Sequence, residues 1–246
     1  MVERRAGGEP LEYVVGWAEF CGLRVFVDPG VFVPRPRSEF LVSVAVERVR
    51  TRGAAQRPVI ADLCCGTGAL GLAVAASLAR GDEPGTREFA ATRVAAAQGT
   101  RLHAADLDPA AVACARRNVE PAGGLVYQGD LFEALPASLR GQVNVLMCNA
   151  PYVPTTEIAF MPAEAREHEA LMALDGGTDG LAILRRVAAS AGAWLAPGGV
   201  LLVETSERQA PSMAAAMSAA GLTPQVHSDD DSGATVVTGA TAPFSG

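Results

Sequence analysis

The sequence contains no lysine, and all 20 of its Lys and Arg residues are arginine. Mechanisms that need a lysine amine, such as Schiff-base formation or phosphate binding by a P-loop, are therefore excluded. Acidic residues outnumber basic ones by 27 to 20, which gives a net charge of −7. Proteins that bind nucleic acid by displacing phosphate counterions need a basic surface. We therefore expect no stable nucleic-acid binding.

Cysteines, histidines and long apolar runs are also scarce. The five cysteines include no C-x-x-C pair and the three histidines are far apart in the sequence, so neither a disulfide framework nor a metal site is predicted. No apolar run approaches the roughly 18 residues that a membrane helix needs. The N-terminal segment also lacks the apolar core of a secretory signal. We expect a cytoplasmic protein with no membrane partner.

What the 246-residue sequence does contain is a regular alternation of strand and helix patterns. Strands are predicted at 58–63, 101–105, 125–127, 143–148 and 200–204, followed by a hairpin of strands 224–228 and 235–238. Helices are predicted after a cap at Ser38, from the glycine-rich turn to Ala79, from Asp108-Pro109 to Asn118, over 179–195 and over 207–220. Repeated βα units predict an α/β fold whose sheet is mostly parallel, with helices on both faces and an antiparallel last strand.

The residues before this alternation predict a separate small element. Residues 13–20 and 23–28 read as a β-hairpin around Cys21-Gly22, and Pro34-Arg35-Pro36 as an extended connector. We divide the chain into a tail, hairpin and linker (1–37) and a main domain (38–246). Residues 81–99 are long for a helix-to-strand connection, so we interpret them as a surface insertion.

A glycine-rich turn, from Asp62 to Gly71, joins the first strand of the main domain to its helix. Glycines let the backbone approach a ligand, and the helix N-terminus offers free N–H groups. This turn alone fits either an NAD(P) cofactor or a sulfonium nucleoside. A carboxylate at Asp62 would repel a pyrophosphate. With Asp106 and Asp130 it predicts an acidic rim that favours the sulfonium nucleoside.

A second motif, Asn149-Ala-Pro-Tyr152, follows the fourth strand. Ligands of open α/β sheets bind at the carboxyl ends of the strands, so this turn is expected to face the same crevice as the glycine-rich turn. The Asn149 amide both donates and accepts hydrogen bonds, the Ala150 carbonyl accepts, and Tyr152 adds a flat ring and a hydroxyl. The set suits an amide substrate, although such a turn on its own could simply end a strand.

Together these motifs resemble the class I, Rossmann-like methyltransferases that use S-adenosylmethionine and carry an (N/D)-P-P-Y turn. More closely, the chain resembles the HemK-type protein glutamine methyltransferases, which modify the Gly-Gly-Gln loop of peptide release factors. Residues 13–20, 31–39, 173–181 and 204–209 resemble further stretches of that family. The resemblance implies a seven-stranded sheet, S-adenosylmethionine as cofactor with S-adenosylhomocysteine as product, and a protein substrate such as a release factor.

The resemblance also implies a role for each matched residue. The residues implied to bind the cofactor are Phe32, Asp62, Cys64, Cys65, Gly66, Thr67, Gly68, Asp106, Leu107, Asp130, Leu131 and Asn149. Those implied to hold the glutamine amide against the methyl group are Asn149, Ala150, Pro151 and Tyr152. No metal is implied. An amide nitrogen is a poor nucleophile, so we expect catalysis by orientation and polar contacts more than by a general base.

Departures from the family pattern leave the acceptor open. Ala150 replaces the first proline of the usual Asn-Pro-Pro-Tyr turn, and Arg37 stands where the family usually has an acidic residue. We also expect the helical N-terminal domain that grips release factors to be missing. The alternatives are a nucleic-acid base or small-molecule N-methyltransferase, and a protein that binds the cofactor without turnover. An NAD(P)-dependent oxidoreductase is disfavoured by the 149–152 turn. The oligomeric state is not predicted.

Overall fold

The structure, a computed structural model, describes residues 1–51, 57–79 and 100–243. It begins with two short helices, α1 (Val2–Ala6) and α2 (Leu11–Val15), and a hairpin of strands β1 (Trp17–Phe20) and β2 (Leu23–Phe26). The predicted hairpin is confirmed, but its first strand starts at Trp17 instead of Tyr13. The preceding residues form a helical turn that ends at Gly16, whose φ of 82° is left-handed. The buried Tyr13 hydroxyl donates to the Val31 carbonyl at 2.7 Å, which fixes this turn on the residues that precede the connector.

The main domain alternates strands and helices as predicted. Its elements are α3 (Glu39–Thr51), β3 (Val59–Leu63), α4 (Ala69–Ala79), β4 (Arg101–Asp106), α5 (Pro109–Val119), β5 (Leu125–Gln128), β6 (Val143–Cys148), α6 (Ala163–His168), α7 (Ala182–Ala191), β7 (Leu195–Thr205), α8 (Ala210–Ala219), β8 (Thr223–Asp229) and β9 (Ala234–Ala240). The predicted insertion at 81–99 lies outside the described residues.

Two helices are shorter than predicted, for local reasons. Helix α7 starts at Ala182 instead of 179 because Asp179 accepts a hydrogen bond from the Leu181 amide and forms a turn. Its predicted C-terminal residue, Leu195, is instead the first residue of β7. Helix α8 starts at Ala210 instead of 207 because the Gln209 side chain accepts from the Ser206 amide and closes a turn before the helix.

The seven strands of the main sheet lie in the order β5-β4-β3-β6-β7-β9-β8. The first five strands in this order, β5, β4, β3, β6 and β7, pair in parallel, whereas β9 is antiparallel to both of its neighbours. The predicted mostly parallel sheet with an antiparallel last strand is confirmed. Alternate residues of β3 serve opposite faces, since Ile60 packs with α3 to α5 and Ala61 packs with α7 and α8. Helices therefore cover both faces, as buried parallel strands require.

This topology creates a crevice between β3 and β6. The chain runs from β3 outward to β4 and β5, then returns to β6 on the other side of β3, and ligands bind at such reversal points. Leu63 pairs with Cys148 at the carboxyl ends of the two strands. The turns that follow these two residues are consequently neighbours. In the parts of the chain that the structure describes, no helix is both long and apolar enough to cross a bilayer.

Candidate active site

A cavity lies at the carboxyl ends of β3, β4 and β6, and its lining includes residues of segment 30–38 and also Met161, Met172, Ala173 and Leu174. Most residues predicted to bind the cofactor line it, namely Phe32, Cys64, Cys65, Gly66, Thr67, Asp106, Leu107, Asp130, Leu131 and Asn149. The four residues of the 149–152 turn also line it. The two motifs that are separated by some 80 residues in sequence therefore meet in one cavity, as the position of both turns predicted.

The glycine-rich turn is held by unusual backbone conformations and by the carboxyl groups of Asp106 and Asp62. Cys64, Gly66 and Gly68 all have positive φ, and at Cys64 the value of 53° belongs to a residue with a Cβ. Left-handed backbone at a non-glycine residue costs about 1 kcal/mol or more and is typical of ligand sites. Asp106, at the end of β4, accepts from the Gly66 amide at 2.8 Å and from the Asp108 amide at 2.9 Å. These bonds tie the turn to β4 at the place where ribose hydroxyls are expected.

The predicted acidic rim needs a correction at Asp62. This side chain is fully buried beneath the turn, where its Oδ2 accepts from the Gly71 amide at 2.9 Å. Its Oδ1 is buried without a hydrogen-bond partner. Burial raises the pKa of Asp62 to about 7, the Gly71 hydrogen bond opposes this, and nearby Asp106 adds to it. Asp62 supports the loop from below instead of standing on its rim.

Gly68 is predicted to bind the cofactor but does not line the cavity. A Cβ added at this residue would point toward helix α5 and lie 2.6 Å from the Val119 side chain. It therefore allows close packing of the turn on α5.

At the other end of the cavity, Asp130 forms an ion pair with Arg186 of α7 at 2.7 Å. The sequence offered no sign of Arg186, since its position beside Asp130 depends on how α7 packs on the sheet.

The 149–152 turn is held by a hydrogen-bonded cluster of side chains. The Asn149 amide nitrogen donates to Ser38 Oγ at 3.2 Å and to Glu204 Oε2 at 3.3 Å. The Tyr152 hydroxyl donates to Glu204 Oε1 at 3.0 Å, and Arg37 Nε donates to the same oxygen at 3.0 Å. Ser38, which was predicted as a helix cap, thus contributes to this site. Glu204 was not predicted as a site residue.

This arrangement leaves hydrogen-bond acceptors for an incoming N–H group. Because the Asn149 nitrogen is used by Ser38 and Glu204, its Oδ1 is the atom that the amide offers to a ligand. The Ala150 carbonyl is a second acceptor of the same turn. Burial, and then the Glu204 carboxylate, raise the pKa of Tyr152, so its phenol stays neutral at physiological pH. His103 lies instead on β4, where it hydrogen-bonds Tyr127 at 3.0 Å.

A second segment, residues 174–180, supports the turn from behind. The Val153 amide donates to the Leu174 carbonyl at 3.2 Å, and the Gly176 amide donates to the Val153 carbonyl at 2.9 Å. The Gln209 side chain donates to the Tyr152 carbonyl at 2.9 Å. The sequence indicated these stretches only by their resemblance to the family. The hydrogen bonds show that these stretches hold the backbone of the turn in place.

We expect Gly180→Ala to impair turnover without weakening cofactor binding. A Cβ at residue 180 would lie 2.1 Å from the Tyr152 carbonyl oxygen and 2.3 Å from Gln209 Nε2, and the φ of 77° is itself strained for alanine. The turn must shift, and small misplacements of a reacting group lower rates by about 10- to 100-fold. Steady-state kinetics and calorimetric cofactor titration measure both effects. The matched control is Gly192→Ala, where a Cβ meets nothing within 4 Å; equal kinetics in the two variants would contradict the assignment.

The described residues fit S-adenosylmethionine on three grounds. The glycine-rich turn lets the backbone approach a ligand, Asp106 offers carboxylate oxygens to a diol, and Leu107 and Leu131 provide apolar walls for a base. A leucine with positive φ, Leu131 at 50°, marks further backbone strain at the same cavity. Among residues 1–51, 57–79 and 100–243, no group of three or more His, Cys, Asp or Glu side chains is placed to hold a metal ion.

Known proteins with similar sequences include methyltransferases of two substrate classes. The chain is 38% identical over 209 residues to a release factor glutamine methyltransferase of Streptomyces coelicolor, covering 85% of this chain and 67% of that protein. It is 36% identical over 222 residues to a 4-amino-L-phenylalanine/4-methylamino-L-phenylalanine methyltransferase of Streptomyces pristinaespiralis, covering 89% of this chain and 69% of that protein. Comparison with protein-family models found no match.

Solved structures agree on the fold. A methyltransferase from Pyrococcus furiosus superposes with a TM-score of 0.60 over 98% of this chain and 99% of its own, at 14% sequence identity. At that level of identity the likeness supports the class I methyltransferase fold alone.

Proposed function

The chain belongs to the release factor glutamine methyltransferase family, and we propose that it transfers a methyl group from S-adenosylmethionine to the side-chain amide nitrogen of a glutamine in a peptide release factor. The observation that carries this proposal is the orientation of Asn149. Its amide nitrogen is held by Ser38 and Glu204, so its oxygen is offered at the end of the cofactor cavity. A substrate amide donates hydrogen bonds through its N–H groups, so it needs a hydrogen-bond acceptor of this kind.

The mechanism follows from what these residues do to a bound amide. S-adenosylmethionine, when bound, supplies a methyl group on a positively charged sulfur. Asn149 Oδ1 and the Ala150 carbonyl accept hydrogen bonds from the two N–H groups of the substrate amide and fix the direction of its nitrogen lone pair. The nitrogen would form the new bond to the methyl carbon as the carbon–sulfur bond breaks, with S-adenosylhomocysteine as the leaving group and one N–H proton released to solvent. Tyr152 closes one side of the site with a neutral ring. Orientation and polar contacts replace a strong base, because the amide nitrogen is limited by delocalisation of its lone pair.

The proposed location is the cytoplasm, where translation takes place. A second candidate function is methylation of an amino-substituted amino acid, and one observation favours it. The relative that acts on 4-amino-L-phenylalanine is nearly as similar to this chain as the release factor enzyme is.

The experiment that separates the two candidates offers both acceptors at once. The purified chain is incubated with methyl-labelled S-adenosylmethionine, an unmethylated peptide release factor and 4-amino-L-phenylalanine, and label is counted in each after separation. We expect label in the release factor, and none when the glutamine of its Gly-Gly-Gln loop is changed to alanine. Label confined to the amino acid would contradict the proposal and favour the second candidate.

A further inference from the structure

A buried carboxylate, Glu204, lies behind the turn that we assign to the acceptor. It is only 2% exposed, near the end of β7, and it contacts three side chains from two other segments of the chain. Its Oε2 accepts from Asn149 Nδ2 at 3.3 Å. Its Oε1 accepts from the Tyr152 hydroxyl at 3.0 Å and from Arg37 Nε at 3.0 Å. A terminal nitrogen of Arg37 also donates to the Tyr152 hydroxyl, so the four side chains form a closed cluster.

Glu204 determines which way the Asn149 amide points. A carboxylate accepts hydrogen bonds and does not donate them, so Asn149 must turn its nitrogen toward Glu204. Ser38 Oγ accepts from the same nitrogen at 3.2 Å and supports this orientation. The amide oxygen is thereby reserved for the acceptor. If Glu204 could donate, the amide would be free to turn over and present its nitrogen to the acceptor instead.

Arg37 is the counter-ion that this buried carboxylate needs. A buried charge whose partner is removed is strongly destabilising, because it has lost its hydration without compensation. Arg37 follows the connector, just before α3, and is half-exposed, while its Nε reaches Glu204. Arg37 therefore compensates the charge of the buried Glu204 carboxylate.

We propose that Glu204 and Arg37 are positioning residues for methyl transfer, which hold the Asn149 oxygen and the Tyr152 ring in the geometry that the acceptor nitrogen requires. This inference rests on the proposed function, because it concerns the same acceptor site. Glu204 itself lies outside the lining of the cavity, whereas Arg37, Asn149 and Tyr152 belong to the lining. Its effect is therefore exerted through the other side chains.

The first test is a separation of kcat from cofactor binding in Glu204→Gln. A glutamine at 204 has one oxygen, so it cannot accept from both Asn149 and Tyr152 as the carboxylate does, and its amide donates toward Asn149. We expect kcat to fall about 10²-fold, with less than about a threefold change in the Kd for S-adenosylmethionine. The matched control is Glu120→Gln, whose carboxylate is half-exposed and pairs with Arg116 on the surface. A kcat equal to that of the control would overturn the proposal.

The second test is a double-mutant cycle, which asks whether the two residues act together. Arg37→Gln alone is expected to lower kcat about 10-fold. In the Glu204→Gln background the same change should lower it less than about twofold further, because the partner is already lost. Arg116→Gln serves as the arginine control and should leave kcat unchanged. Losses that simply multiply in the double variant would show that the residues act independently and would overturn the paired role.

The third test does not depend on glutamine turnover. The side-chain amide signal of Asn149 in a ¹⁵N–¹H NMR spectrum is assigned by its absence in Asn149→Ala. We expect it to shift in Glu204→Gln and to stay in place in Glu120→Gln, with both variants folded by circular dichroism. An unmoved signal would overturn the positioning role even if the enzyme is active. A wild-type chain that fails to methylate glutamine, but whose Asn149 signal responds to Glu204, would instead refute the proposed function alone.

Discussion

Asn149→Ala is expected to lower kcat on the order of 10³-fold, while the Kd for S-adenosylmethionine changes less than about threefold. Asn149 lines the cavity, and in the proposed mechanism its oxygen is one of the two hydrogen-bond acceptors that orient the substrate amide, so the substitution removes that acceptor. It also leaves the Glu204 carboxylate without one of its donors. Single-turnover kinetics and calorimetric titration of the cofactor measure the two quantities separately.

The matched control for this prediction is Asn144→Ala. Asn144 belongs to β6, the strand that Asn149 follows, but lies near the opposite end of that strand, where its side-chain oxygen accepts from the Val59 amide at 2.8 Å. We expect a small loss of stability and a kcat within about twofold of wild type, since a hydrogen bond of this kind contributes about 1 kcal/mol. Full activity in Asn149→Ala, or an equal loss in both variants, would contradict the role of Asn149.

Asp62→Asn is expected to change how stability depends on pH. Burial raises the pKa of Asp62 from 3.8 to about 7, so the folded protein holds this proton more tightly than the unfolded chain. Stability contributed by the protonated form is complete below about pH 4 and is lost as the pH rises toward 7. The corresponding free energy is about 4 kcal/mol. Asparagine cannot ionise, and its oxygen can still accept from the Gly71 amide.

The measurement compares urea unfolding of the two proteins at several pH values. Relative to wild type, Asp62→Asn should gain about 4 kcal/mol in free energy of unfolding between pH 4 and pH 8. Asp230→Asn, in the exposed hairpin between β8 and β9, should follow wild type at every pH. A constant difference between Asp62→Asn and wild type over this range would show that Asp62 is ionised throughout, and would contradict the buried, protonated carboxyl.

Features that depend on short stretches of sequence could be predicted. The start of α5 is an example, because Asp108 accepts from the Ala110 amide at 2.9 Å and Pro109 occupies the first helical position. Both are local rules that do not depend on the rest of the fold. Residues 13–15 show the limit of such rules. They are predicted as the start of a strand over 13–20, but they lie in the helical turn Leu11–Val15, from which the Tyr13 hydroxyl reaches the Val31 carbonyl.

The supporting side chains of the site could not be predicted in the same way. Glu204 contacts Asn149 because Cys148 pairs with Val203 in the sheet. This register cannot be predicted from the sequence of either strand alone. Arg37 and Ser38 reach the same cluster from the residues directly before α3, more than 100 residues away in sequence. The burial of Asp62 likewise depends on packing around the loop. Motifs therefore predicted residues that line the cavity, whereas the side chains behind them could be identified only from the tertiary structure.

The central claim is that the methyl group goes to a glutamine side-chain nitrogen held by the 149–152 turn. The most direct measurement is tandem mass spectrometry of the release factor after reaction with S-adenosylmethionine and the wild-type chain, with Asn149→Ala in parallel. The account predicts one added methyl group on the side chain of the glutamine in the Gly-Gly-Gln loop, and its absence with the variant. A methyl group on another residue, or an equal yield with Asn149→Ala, would contradict it.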